Sequence, residues 1–376
     1  MLRTRTFAFP AAGRLIAISD VHGNLNGFKR LLKAMNYSPE DALVIVGDLC
    51  EKGPDSLGLL RFLIRLEQTH PQVYVLEGNC DHMVDYVFAG RPGMWRFLHD
   101  KPQSLLNAWL RERGKQLDDF SSLPALAAFY QTYDRAEIDW LSGLPTVYET
   151  DRYLFVHAGL EYRRDWRATD RHTALTLHHF NDQGHLCPKT VVVGHYPVVN
   201  YCARALCCHN PLIDQSQRII SIDGGNAVRV DGQLNALIIE RTPSGCDRYE
   251  TAYVDDFQRM VTVSRDVEPA YSASGSVCFP HYKVSPLNRG EDFTLCENPG
   301  LGVRQWIKNE YLILTKDGCC AREDVSTTML RAAAGEQVAV VDDGCSGYVL
   351  VKLRGCVGWL PRNCLSVTTA AAAVQD

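Results

Sequence analysis

The sequence predicts an α/β domain followed by an all-β region, and three observations carry that prediction. From residue 15 to about 245, short apolar, β-branched runs recur, and each stops at a polar or glycine-containing corner. Helical patterns fill the intervals between them. After about residue 255 helical periodicity fades, and short strands with Gly and Asp turns take over.

The runs are LIAIS, ALVIVG, VYVLEG, YLFVHAG, TVVVGH, RIISIDGG and ALIIE. Their continuous apolar character suits strands buried on both faces of a sheet. Leu25, Phe28, Leu31, Leu32 and Met35 fall on one face at helical spacing, and Leu57, Leu60 and Ile64 follow the same rule after Pro54. Residues 91–145 interrupt the rhythm with Trp95, Leu105, Leu106, Trp109, Leu110, Phe120, Leu126 and Phe129. They are expected to form a helical insertion capping the site. The first 255 residues therefore read as one α/β domain, with helices on a central layer of sheet.

Beyond it lie GEQVAVVDDG, GYVLVKLRG and CVGWLP, short strands separated by turns. Trp306 opens WIKNEYL and Trp359 opens WLPRNCL, each reaching a leucine six residues on, which predicts a repeated unit. Two small β domains, 256–315 and 316–370, are expected, with residues 371–376 a frayed tail.

Composition removes several classes. With 46% hydrophobic and 22% charged residues the chain is globular rather than disordered. Its net charge of −5 provides no basic field to recruit nucleic acid or an anionic membrane. No run approaches the roughly 20 apolar residues of a membrane span, and no N-terminal stretch fits a signal peptide, so a cytoplasmic location is expected. The fourteen cysteines include no CxxC pair, which argues against a zinc ribbon and for buried thiols. CCH at 207–209 is the one local exception with metal-ligating character.

Chemistry is concentrated where the apolar runs end. DVHG supplies Asp20 and His22, GDLCEKG supplies Asp48, and GNCD supplies Asn79; HAG and GHYP add His157 and His195. Strand carboxyl ends of one sheet share an edge, so five strands are expected to deliver these groups to one place. Carboxylate and imidazole suit manganese, iron or zinc, and six ligands suit two ions rather than one. Asp48 is the natural bridge. Two ions about 4 Å apart acidify a shared water and clamp the phosphate oxygens of an in-line displacement.

The ordered set DVHG, GDLCEKGP, GNCD, HAG and GHYP resembles the calcineurin-like metallophosphoesterases. Within them it is most similar to the phosphoprotein phosphatase branch, which includes bacterial protein phosphatases and symmetrical diadenosine tetraphosphate hydrolases. The resemblance covers roughly residues 14–240 and implies a four-layer α-β-β-α sandwich. It also implies one ion on Asp20, His22 and Asp48, and the other on Asp48, Asn79, His157 and His195. GHYP lacks the second histidine of the GHxH form of nuclease-like branches.

Two departures matter. Where the branch usually has GDxxDRG, this chain has Glu51 and Lys52; Lys52 neutralises phosphate as a point charge without the fork of an arginine. Where the branch has GNH, with a histidine that protonates the leaving oxygen, Cys80 stands before Asp81. A thiol is a poor acid for an alkoxide, so Asp81 or His82 becomes the expected proton donor beside Cys80. Arg163 and Arg164, just after HAGL, are candidate phosphate contacts. The segment GYVLVKLRGCVGWLPRNCL resembles bacterial SH3-like domains, which implies a peptide or protein partner.

The leading expectation is a two-metal phosphatase acting on phosphomonoesters, phosphoproteins among them, with manganese the expected ion. Hydrolysis of a dinucleoside polyphosphate or phosphodiester is the enzymatic alternative. A metal-binding scaffold with SH3-like recruitment is the non-enzymatic one.

Overall fold

The computed structural model describes residues 2–10, 12–133, 135–271 and 275–367. The frayed tail expected at 371–376 lies outside the described residues. Internal contacts group the chain into two units. One comprises Met1–Pro197, Asn210–Val228 and Gly232–Asp255; the other comprises Val198–His209, Arg229–Asp231 and Asp256–Asp376.

The strands of the first unit are β1 (Thr4–Thr6), β2 (Gly13–Ile18), β3 (Ala42–Val46), β4 (Val73–Leu76), β5 (Val147–Glu149), β6 (Tyr153–Val156), β7 (Thr190–Val193), β8 (Leu212–Asp214), β9 (Ile219–Ser221), β10 (Leu234–Arg241) and β11 (Asp247–Val254). They form two sheets, not one: β11-β10-β2-β3-β4 and β1-β5-β6-β7-β9-β8. β2, β3 and β4 run parallel, as do β6, β7 and β9.

Side-chain alternation explains the apolar runs. Ile16, Ile18, Leu43 and Ile45 face a helical layer, while Leu15, Ala17, Val44 and Val46 meet Tyr153, Phe155, Val192 and Ile220 of the other sheet. On that sheet's far side Leu154, Val156, Val191 and Val193 meet Leu160, Trp166, Ala174 and Phe180. Both faces of each sheet are covered, so neither has a polar side, and the order helix, sheet, sheet, helix makes four layers.

The helices over the first sheet are α1 (Leu25–Ala34), α2 (Ser56–Thr69), α3 (Met83–Phe88), α4 (Met94–Asp100), α5 (Leu105–Glu112), α6 (Leu123–Tyr133) and α7 (Arg135–Ser142). Asn24 and Asp55 cap α1 and α2 through side-chain oxygens that accept from Gly27 and Gly58 N–H. The buried stripe of α2 is Leu59, Leu60, Leu63 and Leu66; of the expected Leu57, Leu60 and Ile64, Leu60 is fully buried and the other two are partly buried against the same core. α4–α7 occupy residues 91–145 and build on the fully buried Trp109 and Tyr130. Two short helices, α8 (Arg171–Thr176) and α9 (Phe180–Gln183), cover the second sheet.

In the second unit β12 (Met260–Val263), β13 (Ser276–Val277), β14 (Ser285–Arg289), β15 (Phe293–Asn298), β16 (Val303–Lys308), β17 (Leu312–Thr315), β18 (Gly318–Ala321), β19 (Val325–Ser326), β20 (Gln337–Asp342), β21 (Tyr348–Leu353), β22 (Cys356–Pro361) and β23 (Leu365–Val367) form several small sheets. The Trp306 and Trp359 repeat has a structural counterpart: each tryptophan strand, β16 and β22, runs into a 3-10 turn and then a short strand. The strands do not divide at 315 as two tandem barrels require. β12 lies between β20 and β23 in a sheet of order β22-β21-β20-β12-β23. One apolar cluster joins Val277, Phe293 and Ile307 to Leu350 and Trp359. A strand of the expected first module is thus spent completing the sheet of the second, where it buries Val261 and Val263.

Candidate metal centre

The five corners that follow β2, β3, β4, β6 and β7 converge, although the strands belong to two sheets. Four of the six expected ligands, Asp20, His22, Asp48 and His195, have positive φ between 49° and 67°. Such backbone is costly for residues with a Cβ, and it turns the side chains back across the strand ends. Hydrogen bonds hold the corners there: Asp20 N–H donates to Gly47 O, His22 N–H to Asp48 O at 2.9 Å, and Gly23 N–H to Leu49 O. A methyl group on Gly78 would lie 2.1 Å from Asp48 N, so the GNCD corner reaches Asp48 only as glycine.

Asp48 is the hub. Ligand atoms of Asp20, Asp48 and His157 lie within 4.8 Å of one another, and so do those of His22, Asp48 and Cys80. Sharing one carboxylate between two groups is what two ions with a bridging ligand require. His22 Nε2 is 3.6 Å from Asp48 Oδ2, and His157 Nε2 is 3.4 Å from Asp48 Oδ1. Each of these rings has Nδ1 against a backbone carbonyl, Cys50 O for His22 and Val46 O for His157, which turns Nε2 toward the cluster. Asn79 Oδ1 sits 3.1 Å from His157 Nε2. His195 Nε2 is buried with no hydrogen-bond partner, a cost that coordination removes.

The electrostatics fit cations. Burial and the adjacent Asp48 push the Asp20 carboxyl up to about 8. Burial lowers His22 to about 4 and, with His157 beside it, His195 to about 3. These imidazoles are therefore neutral, the form that binds metal. Asp48 is also buried, but His157, His22 and Lys52 around it hold its carboxyl below the usual range. Lys52 Nζ lies 3.2 Å from His22 Nε2 and 4.0 Å from Asp48 Oδ2, the one expected phosphate contact that reaches the cluster.

The three expected proton-transfer residues sit differently. Cys80 donates its N–H to Asp48 Oδ1, and its sulfur is 3.4 Å from Asn79 Nδ2. Burial, then Asp48, pushes its thiol up. Asp81 Oδ1 accepts from Leu49 and Cys50 N–H, and Oδ2 accepts from Gly78 N–H. Three backbone donors make Asp81 a brace between the second and third corners. His82 engages both ring nitrogens, Nδ1 with Asp85 and Nε2 with Glu77 and Arg171. Although burial opposes it, Asp85 and Glu77 raise its pKa to about 9. Arg163 is held by Glu161 and Ala168 O, and among the described contacts neither it nor Arg164 joins the cluster.

Sequence reading missed the supporting residues. Asn226 Nδ2 donates to Asp20 O and Val21 O, and its Oδ1 accepts from Asn24, fixing the first corner. Its signal was position: it directly follows IDGG, which the motif reading already covered. Glu77, fully buried, accepts two bonds from Arg171 and one from Thr146. Nothing near Arg171 in sequence marks it. Glu51 Oε1 accepts Leu105 N–H at the start of α5, and burial pushes its carboxyl up to about 7. Beside the cluster a cleft of about 360 Å³ is lined by Glu51, Lys52, Cys80, Met83, Phe97 and Lys101, among others.

In the second unit Cys207, His209 and Asp231 also come within 4.8 Å of one another. There Arg229 already takes both Asp231 oxygens, and Lys352 Nζ donates to Asp231 O. Two cations at this place oppose a third.

Among the described residues no helix is long and apolar enough to cross a membrane. Two curated relatives are named symmetrical bis(5'-nucleosyl)-tetraphosphatase. That of Legionella pneumophila (strain Corby) is 36% identical over 107 residues, 26% of this chain and 37% of its own length. That of Aromatoleum aromaticum is 32% identical over 149 residues, 39% of this chain and 44% of its own. The chain thus spans less than half the length of the relatives it matches. A protein serine/threonine phosphatase structure from Saccharomyces cerevisiae aligns at 10% identity and TM-score 0.44, over 68% of this chain and 85% of that one. The model of the calcineurin-like phosphoesterase family matches residues 13–217, more than half of the sequence. With the corner geometry above, that match makes the chain a member of the calcineurin-like phosphoesterase family.

Proposed function

We propose that this protein hydrolyses a phosphoanhydride bond of dinucleoside polyphosphates, with two divalent ions, manganese foremost, held by Asp20, His22, Asp48, Asn79, His157 and His195. The observation that carries this reading is the cysteine at the proton-donor corner. Cys80 offers a thiol where the branch it resembles has an imidazole, and the neighbouring Asp81 and His82 are both occupied by other partners. A nucleotide leaves as a stable anion and needs no proton, whereas an alkoxide leaving from phosphoserine does. The names of the relatives point the same way.

When bound, the two ions supply Lewis acidity and charge neutralisation at the phosphoryl group. Asp48 and Asn79 are positioned by the brace at Asp81, and Lys52 meets a non-bridging phosphate oxygen as a point charge. The adjoining cleft joins the cations Lys52 and Lys101 to the apolar Phe97 and Met83, a combination that suits a phosphate followed by a nucleoside. His82 and Asp81 act as positioning residues. Arg163 and Arg164 remain candidates for contacts with the distal end of a long substrate.

The second reading is phosphomonoester hydrolysis, phosphoproteins included, and GHYP without the nuclease-type second histidine favours it. With manganese, kcat/KM on diadenosine tetraphosphate is expected to exceed that on aryl phosphate, bis-aryl phosphate and phosphopeptide by tenfold or more. A preference for any of the three overturns the proposal. Asp48→Asn should lose manganese binding and turnover together, and full activity in that variant would refute the centre itself.

A further inference from the structure

We propose that Cys208 and Cys356 form a cross-strand pair that a hydroperoxide oxidises reversibly to a disulfide. Both residues belong to the second unit, and they face each other across an antiparallel β-bridge. The flanking hydrogen bonds define the type of pair. Val357 N–H donates to Cys207 O at 2.8 Å and His209 N–H donates to Gly355 O at 2.9 Å. Cys208 and Cys356 exchange no backbone bonds themselves, so they occupy the narrow site of the ladder. There Cα atoms stand about 4.5 Å apart and side chains on one face approach closely. A disulfide requires Cα separations of roughly 4.4–6.8 Å, so the bridge forms without moving the backbone.

Three further facts bear on it. Cys356 opens β22, an edge strand, directly after the tight turn at Arg354 and Gly355, both with positive φ. The turn fixes its register, and the segment at 207–209 covers the edge that follows. Both cysteines are partly exposed, whereas Cys207 and Cys278 nearby are buried, so a small oxidant reaches this pair before those two. The Cys356 thiol is pushed up, chiefly by its hydrogen bond with the Cys208 sulfur and then by burial. With the thiol held in its protonated form, oxidation is slow at neutral pH and faster in alkali.

The step balances with hydrogen peroxide as oxidant. One thiolate attacks the peroxide oxygen, giving a sulfenic acid and water. The second thiolate then displaces hydroxide from that sulfur, which leaves as a second water. Two thiols lose two electrons and two protons, and one peroxide is reduced to two waters. The bond is reopened by a dithiol through thiol–disulfide exchange. Its effect is to fasten the 198–209 segment to β22.

The test uses the full chain, reduced, freed of reductant, treated with hydrogen peroxide at pH 8 and then alkylated after denaturation. Fourteen titratable thiols should fall to twelve, and peptide mapping should find Cys208 joined to Cys356. Dithiothreitol should restore fourteen. Cys356→Ser should retain thirteen thiols through the same treatment. Mapping of the wild-type chain stands alone if that variant fails to fold. Both residues recovered alkylated, or Cys208 joined instead to Cys202, would overturn the inference.

Discussion

The GNCD corner illustrates how single residues divide their labour. Asp81 spends both oxygens on backbone N–H groups, and His82 is drawn into the ion network of Glu77, Asp85 and Arg171. That network has a pH signature. The folded-state pKa of His82 is about 9, above the roughly 6.5 of an unfolded histidine. Its contribution is complete below about 6.5 and is lost as pH rises through 9, an interval corresponding to at most about 3 kcal/mol. Urea unfolding of the wild type should therefore weaken between pH 6.5 and 9.5 more than that of His82→Gln. Parallel profiles for the two proteins would show that the ring is not charged in the fold. Asp20, Asp48 and the histidines were legible as a candidate set in the sequence because each lies in the polar corner that ends an apolar run. The partners of Asp81 and His82 were not, because Arg171 and Glu77 lie 94 positions apart and meet only through packing.

Among the elements, α5 is tied to the centre through its first turn. Ser104 accepts from Asn107 N–H, and Glu51 accepts from Leu105 N–H, so two N–H groups without helical partners are satisfied from outside the helix. Glu51→Ala leaves Leu105 N–H buried and unpaired, which costs about 1–3 kcal/mol. The expected outcome is a lower urea midpoint with manganese affinity within about threefold of wild type. A large loss of metal with unchanged stability would place Glu51 in the centre rather than under the helix. The sequence showed the helical character of residues 91–145 through its apolar spacing. It gave no sign that Glu51, which reads there as an altered phosphate-site residue, anchors one of those helices.

For the whole molecule, chain order and spatial grouping diverge after Pro197. Val199 and Cys207 join the apolar cluster of Phe293 and Trp359, and Arg229 pairs with Asp231 and Asp324. Truncation after residue 255 consequently removes the partners of two segments inside the α/β half. It should give an aggregating protein rather than an independent catalytic domain, as size-exclusion chromatography would show. A monomeric, active fragment would contradict this. What the sequence determined by itself is local and repetitive: the strands, from continuous apolar runs; the candidate ligand types, from what ends each run; and the tryptophan repeat. These depend on neighbours a few residues away. Only the tertiary structure decided how the strands are shared between the two sheets that the resemblance implied, that β12 completes a sheet built mostly of later strands, and that Asp81 braces while Glu51 caps. Each of those depends on which distant surface buries a given side or accepts a given N–H, and apolar alternation is the same whichever sheet lies opposite.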